Sequence, residues 1–161
     1  MPNASDLTTS DYQVLAEFRH QIRRFLRFSE DVAREAGLEP QQHQLMLALK
    51  GAPEGAEPRI GSLAERLQIQ HHSAVELVDR LMKKRLIRRI RGDQDRREVH
   101  VKLTSSGERI LADLTLHTRA ELRSAAPSLV AGLKKIMGTK HGGPKTAARK
   151  RAMARGRNNL T

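Results

Sequence analysis

The chain has 161 residues, contains no cysteine and carries a formal net charge of +12, and aromatic side chains make up only 2% of it. The lack of cysteine excludes disulfides, thiolate metal sites and thiol redox sensing, and the lack of any apolar run of about 18 residues excludes a transmembrane helix. The length suits one domain with an aliphatic core of packed helices, and an N-terminus without the layout of a signal peptide predicts a cytoplasmic protein.

The first predicted element is a long amphipathic helix over residues 11–36, which follows a flexible segment of residues 1–10. Apolar residues recur there at helical spacing, with arginines between them: Leu15, Phe18, Ile22, Phe25 and Val32. This stripe is expected to serve as core or as a dimer contact. Gly37 is well placed to end the helix.

A second helix is predicted from Pro40 to about Gly51. Proline suits the first position of a helix, because its missing N–H would have no partner there. The segment 51–58 has two prolines and two glycines, which predicts a loop.

Two short helices joined by a tight turn are predicted next. Ser62 is expected to cap the first, since Ser62 followed by Glu65 fits a capping box. A turn at 68–70 leads into a helix over 71–84. Its predicted buried stripe consists of Ala74, Leu77, Val78 and Leu81.

The spacing of the apolar residues then changes from helical to alternating, which predicts a hairpin with strands over 86–91 and 97–103. In the second strand Val99, Val101 and Leu103 alternate with polar residues, which is typical of a half-buried strand. Turn-forming residues 92–95 lie between the two strands.

A long C-terminal helical region follows. Thr104 is predicted to cap a helix that runs to about residue 125. Pro127 is expected to break it, and a last apolar helix should follow to about residue 137. Residues 138–161 are rich in Lys, Arg, Gly and Ala, so a disordered basic tail is expected.

The positive charge is concentrated in two blocks. Residues 80–102 hold ten basic and three acidic residues, and residues 122–161 hold ten basic and none that are acidic. The rest of the chain is net acidic. Such blocks are the footprint of a polyanion binder, with nucleic acid as the first candidate and an anionic membrane as the second.

The order of the predicted elements indicates how this charge is placed in the fold. Helix, turn, helix and then a charged hairpin is the order of a winged helix-turn-helix. A helix fits the major groove, where base edges are distinguishable, and a cationic hairpin tip can reach the adjacent minor groove. The expected fold is mainly α, with a small two- or three-stranded β wing.

Three motifs in this order resemble the MarR family of transcriptional regulators. They are the short helix SLAERL at 62–67, the helix HHSAVELVDRL at 71–81, and DRREVHVKLTSSG at 95–107. The resemblance covers about residues 11–137. It implies a DNA-binding core over about 40–104, flanked by dimerisation helices at about 11–36 and 105–137.

The resemblance also implies partners and mechanism. It implies a homodimer that binds a pseudo-palindromic operator in double-stranded DNA and acts as a repressor, together with a small aromatic or anionic effector that lowers the affinity for DNA. Arg97 would enter a groove, and Asp95 would orient it. Carried over by position, the DNA-binding residues are Gln70, His71, His72, Ser73, Val75, Glu76 and Arg80 on the recognition helix and Arg91, Asp95, Arg96 and Arg97 in the wing.

The sequence departs from the family pattern in three places, one of which is a tail beyond Met137 that is longer and more basic than the family needs. Arg85 stands where a glycine is common between the recognition helix and the wing, so a different local turn is expected. Glu76 lies on the reading face, where its carboxylate could accept from cytosine or repel phosphate.

Other classes of function were weighed against this interpretation. His71 and His72 point about 100° apart on a helix and do not favour one shared metal ion. No phosphate loop, zinc-protease or nucleophile-elbow motif is present, so neither an enzyme nor a cofactor is expected. A nonspecific architectural DNA-binding protein is the alternative, and a module whose wing binds protein is the third hypothesis.

Overall fold

The computed structural model describes residues 7–53, 55–56, 58–91 and 99–138. This part of the chain contains five helices and one two-stranded antiparallel sheet, so the predicted mainly α fold with a small β wing is confirmed. None of its helices is long and apolar enough to cross a membrane. The elements are α1 (Thr9–Glu35), α2 (Pro40–Lys50), α3 (Ile60–Leu67), α4 (His71–Lys83), β1 (Ile87–Arg91), β2 (Val99–Leu103) and α5 (Ser105–Gly138).

Helix α1 has a defined signal at each end. The Thr8 backbone N–H donates to the Asp11 carboxylate at 2.8 Å, and the Asp11 N–H donates back to the Thr8 hydroxyl at 3.4 Å, which forms a capping box. At the other end Gly37 has a φ of +75°, a value that glycine adopts without strain. The predicted stop at Gly37 is therefore confirmed.

Helix α3 begins earlier than predicted, and the predicted capping role of Ser62 is wrong. Arg59 is the N-cap, and Ser62 is the third residue of the helix. The Ser62 hydroxyl accepts from the Arg59 backbone N–H at 3.2 Å and donates to the Arg59 carbonyl at 2.8 Å. The serine thus closes the first turn from inside the helix.

The strands pair in a simple register, with Ile87 opposite Leu103 and Arg91 opposite Val99. The predicted alternation along β2 is wrong at its start, because Val99 is 40% exposed whereas His100 is only 3% exposed. The segment before α3 explains this burial. Arg59 forms a bridge with His100, and the Val101 N–H donates to the Pro58 carbonyl at 3.0 Å, so a third chain segment lies along β2.

Helix α5 is continuous through Pro127, so the predicted break there is wrong. A proline removes one helical hydrogen bond, which here leaves the Arg123 carbonyl without a donor. Both residues are exposed, and water can satisfy that carbonyl. Beyond the proline, Gly132 packs so closely on Phe18 of α1 that a Cβ would lie 3.2 Å from its ring.

The core lies where α2, α3 and α4 meet the sheet and the first half of α5. Leu45, Met46, Leu63 and Leu81 are almost fully inaccessible. Helices α1 and α5 extend beyond this core as an antiparallel pair. The structure therefore has one layer that contains α3, α4 and the sheet, and a second that contains most of α1 and α5.

Candidate nucleic-acid interface

Helices α3 and α4 form the predicted helix-turn-helix. Gln68 ends α3 with a left-handed φ of +55°, and the Ile69 N–H donates to the Ala64 carbonyl at 3.0 Å. The predicted buried stripe of α4 is confirmed, since Ala74, Leu77, Val78 and Leu81 are each at most 4% exposed. Burial of this stripe fixes which side of α4 faces outward.

The outward side of α4 carries the sequence-predicted recognition residues. Gln70 is the N-cap, and its side chain makes no capping hydrogen bond to a described residue. The first N–H groups of α4 therefore remain available to an anion such as a phosphate. Of the predicted residues, Gln70, His71, His72, Glu76 and Arg80 are exposed, whereas Ser73 and Val75 are half-buried.

The arginine side chains at the C-terminal half of this face are paired with carboxylates. One terminal nitrogen of Arg80 lies 3.2 and 3.5 Å from the two carboxylate oxygens of Glu39, and the other lies 3.8 Å from Glu76. On the strand β1, which follows α4, the Arg89 guanidinium donates to the Asp79 carboxylate at 2.8 Å. A phosphate that approached Arg80 or Arg89 would compete with these carboxylates.

Sequence reasoning missed the contribution of Glu39. It stands 41 residues before Arg80, just ahead of Pro40, and nothing local marks it as part of this face. The charge block over 80–102 did indicate Arg89, but not its pairing with Asp79. Both pairs depend on how α2 and β1 pack beside α4.

The turn between α4 and β1 contains a strained arginine. Arg85 has a φ of +58°, which lies in the left-handed region that favours glycine and strains a residue with a Cβ. The Thr104 hydroxyl donates to the Arg85 carbonyl at 2.8 Å. From the other side, the Lys84 ammonium donates to the Gly37 carbonyl at 2.8 Å.

Gly107 lies where the start of α5 contacts the α4–β1 turn. Its N–H donates to the Thr104 hydroxyl at 3.1 Å, which confirms Thr104 as the cap of α5. A Cβ at this position would overlap the Leu86 carbonyl oxygen and lie 3.0 Å from its carbon. The close contact explains the glycine at the end of the Leu-Thr-x-x-Gly motif.

The wing is described only in part. Arg88, Arg89 and Arg91 are exposed along β1 and give the strand a basic outer surface. The predicted wing residues Asp95, Arg96 and Arg97 lie outside the described residues, as does the predicted basic tail beyond Gly138. In the described part of the chain, no cluster of three or more His, Asp or Glu side chains could hold a metal ion.

Comparison with known proteins agrees with this geometry. The sequence model of the MarR family matches residues 36–98, which span α2, α3, α4 and the start of the wing. The chain is 24% identical over 121 residues to the uncharacterized HTH-type transcriptional regulator YsmB of Bacillus subtilis, which covers 73% of this chain and 81% of YsmB.

Solved structures share the fold. The MarR family transcriptional regulator AbsC of Streptomyces coelicolor superposes with a TM-score of 0.65 at 21% identity, over 82% of this chain and 92% of AbsC. A mutant of S. aureus MepR bound to an oligodeoxyribonucleotide gives a TM-score of 0.59 at 19% identity, over 83% of this chain and 99% of that protein.

Proposed function

We infer that the chain is a member of the MarR family of DNA-binding transcriptional regulators. We propose that it is a cytoplasmic, homodimeric repressor that binds a pseudo-palindromic operator and is released by a small effector. The observation that carries the proposal is the outward face of α4, which is exposed beside the basic strand β1. A helix held on a buried stripe, with a cationic hairpin beside it, can place side chains in one major groove and the adjacent minor groove.

Each copy of α4 would enter the major groove of one half-site, with half-site centres about one helical turn, roughly 10 bp, apart. The exposed N-terminal residues of α4 would reach base edges. The wing residues Arg91, Asp95, Arg96 and Arg97 would follow the backbone into the minor groove, with Arg97 inserted. The S. aureus MepR mutant was solved bound to an oligodeoxyribonucleotide, which supports DNA as the partner.

The exposed apolar side chains of α1 and α5 support a homodimer. Leu15 is 51% exposed on α1, and on α5 Leu133 and Met137 are 45% and 83% exposed. Large apolar side chains left exposed on two packed helices are typical of a surface that serves association. Sedimentation should give a dimer, and Leu133→Lys should shift the equilibrium toward monomer.

A groove between the end of α1 and the first half of α5 is the candidate effector site. It has a volume of about 410 Å³, and its lining includes the apolar side chains of Val32, Ile110 and Leu114. Glu35, Asp113 and His117 also line it. The two carboxylates against one imidazole favour a neutral or cationic aromatic effector over the anionic one that the family resemblance implies.

The hydrogen bonds around the α4–β1 turn support a route from this groove to DNA. Lys84 binds the carbonyl of Gly37 at the end of α1, and Thr104 at the start of α5 binds Arg85. An effector that changed the spacing of α1 and α5 would therefore move the C-terminal end of α4. It can shift this equilibrium only by its differential affinity for the two arrangements.

The proposal is tested by measuring the affinity of the Arg97→Ala protein for an operator obtained by selection from random DNA. The variant should lose about 1–3 kcal/mol of binding free energy and remain a folded dimer. The matched control is Arg24→Ala on α1, whose exposed arginine makes no ion pair with a described residue. Unchanged operator affinity in Arg97→Ala would refute the role of the wing.

The reading residues are tested by specificity. His72→Ala and Glu76→Ala should change the preference among operator variants. A uniform loss on every sequence would mean that these side chains only position the protein. Equal affinity for random and selected DNA would favour the architectural alternative.

A further inference from the structure

The cations of the DNA-facing surface fall into two groups. Arg80 and Arg89 are paired with carboxylates at 3.2 and 2.8 Å. Lys83, Arg88 and Arg91 make no ion pair with any residue in the described part of the chain. Of the two paired arginines, Arg80 lies on α4 and Arg89 lies on β1, the strand that follows it.

The carboxylates that hold them come from fixed positions. Glu39 is the N-cap of α2, and its backbone N–H donates to the Gln42 side chain at 3.1 Å. This hydrogen bond holds the backbone from which the Glu39 carboxylate extends. Asp79 sits on α4 next to Arg80, beside the buried stripe. Each arginine is therefore already paired with a carboxylate of the protein when a phosphate approaches.

We propose that Glu39 and Asp79 keep Arg80 and Arg89 from contributing phosphate contacts and so lower the affinity of the protein for DNA. This inference rests on the proposed DNA binding. Affinity for nonspecific DNA depends on how many phosphates the protein neutralises, and each such contact adds about 0.9 to the slope of log K against log salt. Base-reading contacts from the N-terminal half of α4 do not depend on these two arginines. Phosphate contacts carry no sequence information, so the two carboxylates lower the affinity for random DNA and for the operator alike.

The conservative variants Glu39→Gln and Asp79→Asn test the proposal, because an amide oxygen still accepts from arginine while the charge is lost. The probe is a random-sequence duplex, with affinity measured by fluorescence anisotropy across a salt series. Each variant should steepen the slope by about 0.9 and raise affinity for random DNA about five- to tenfold near 0.1 M salt. Affinity for the selected operator should rise by a similar factor.

A matched control and a double variant separate this effect from net charge. Glu121→Gln on α5 makes the same change of charge at a residue without an ion pair to any described residue, and it should leave the slope unchanged. In the Glu39→Gln background, Arg80→Ala should remove the added slope.

The inference fails if Glu39→Gln and Asp79→Asn match Glu121→Gln in slope and in affinity for random DNA. It fails too if the gain persists in the Glu39→Gln, Arg80→Ala double variant. Loss of the proposed function gives a different result, namely a wild-type protein that shows no operator preference. The slopes on random DNA still test the two carboxylates in that case. Urea unfolding of each variant confirms that the comparison is between folded proteins.

Discussion

Replacing Gly107 with alanine should destabilise the protein by about 2–4 kcal/mol, although alanine is the better helix former. The added methyl would overlap the Leu86 carbonyl oxygen and lie 3.3 Å from a methyl carbon of Leu103. That carbonyl cannot easily turn away, because it accepts from the Thr104 N–H at 3.0 Å and from the Thr104 hydroxyl at 3.2 Å.

The magnitude follows from these contacts. Forcing extra volume into a packed site costs about 1–3 kcal/mol, and weakening the two hydrogen bonds on Leu86 adds about 1 kcal/mol each. The higher helix propensity of alanine returns about 1 kcal/mol. The net loss should appear as a lower urea midpoint with an unchanged m-value.

Gly61→Ala is the matched control. Gly61 lies in the first turn of α3, and no described atom stands within 4 Å of the position that its Cβ would occupy. This variant should be unchanged in stability or more stable by up to about 1 kcal/mol. If Gly107→Ala proved as stable as Gly61→Ala, the close approach of α5 to Leu86 would be refuted as the reason for this glycine.

Three further outcomes are expected. Arg85→Gly should stabilise the fold by about 0.5–1 kcal/mol in urea unfolding, because a φ of +58° strains any residue with a Cβ; a loss of stability would contradict this. Thr104→Val should cost about 1 kcal/mol, since it removes the hydroxyl that caps α5 and binds the Arg85 carbonyl, and an unchanged urea midpoint would count against it. Burial lowers the pKa of His43 below 6.5, and its Nε2 atom has no hydrogen-bond partner among the described residues. The unfolded chain therefore takes up the proton first as pH falls below about 6.5, and stability should fall with it. His43→Leu should lessen that fall, and a constant difference between the two proteins from pH 7 to about pH 5 would contradict the reasoning.

The elements that the sequence predicted correctly are those whose signals are local. The 3.6-residue spacing of Ala74, Leu77, Val78 and Leu81 fixes the buried side of α4, and therefore its outward face as well. Gly37 and Thr104 mark helix ends through their own backbone and side-chain chemistry. These signals were enough to predict the helix-turn-helix and most of the candidate reading face.

The errors occur where a distant segment decides the outcome. His100 is buried because the segment at Pro58 and Arg59 lies along β2, and α5 continues past Pro127 because α1 packs against its second half. The pairing of Glu39 with Arg80 joins residues from two different helices. No spacing within one element could have revealed these three contacts.

Reading of a DNA sequence by α4 and the wing is central to the proposed function. The most direct test selects binding sites from random DNA with the full-length protein, then compares affinity for selected and random duplexes across a salt series. We expect a pseudo-palindromic site, with half-sites about 10 bp apart, bound roughly a thousandfold or more tightly than random DNA. Failure to enrich any site, or a preference that disappears as salt rises, would contradict it.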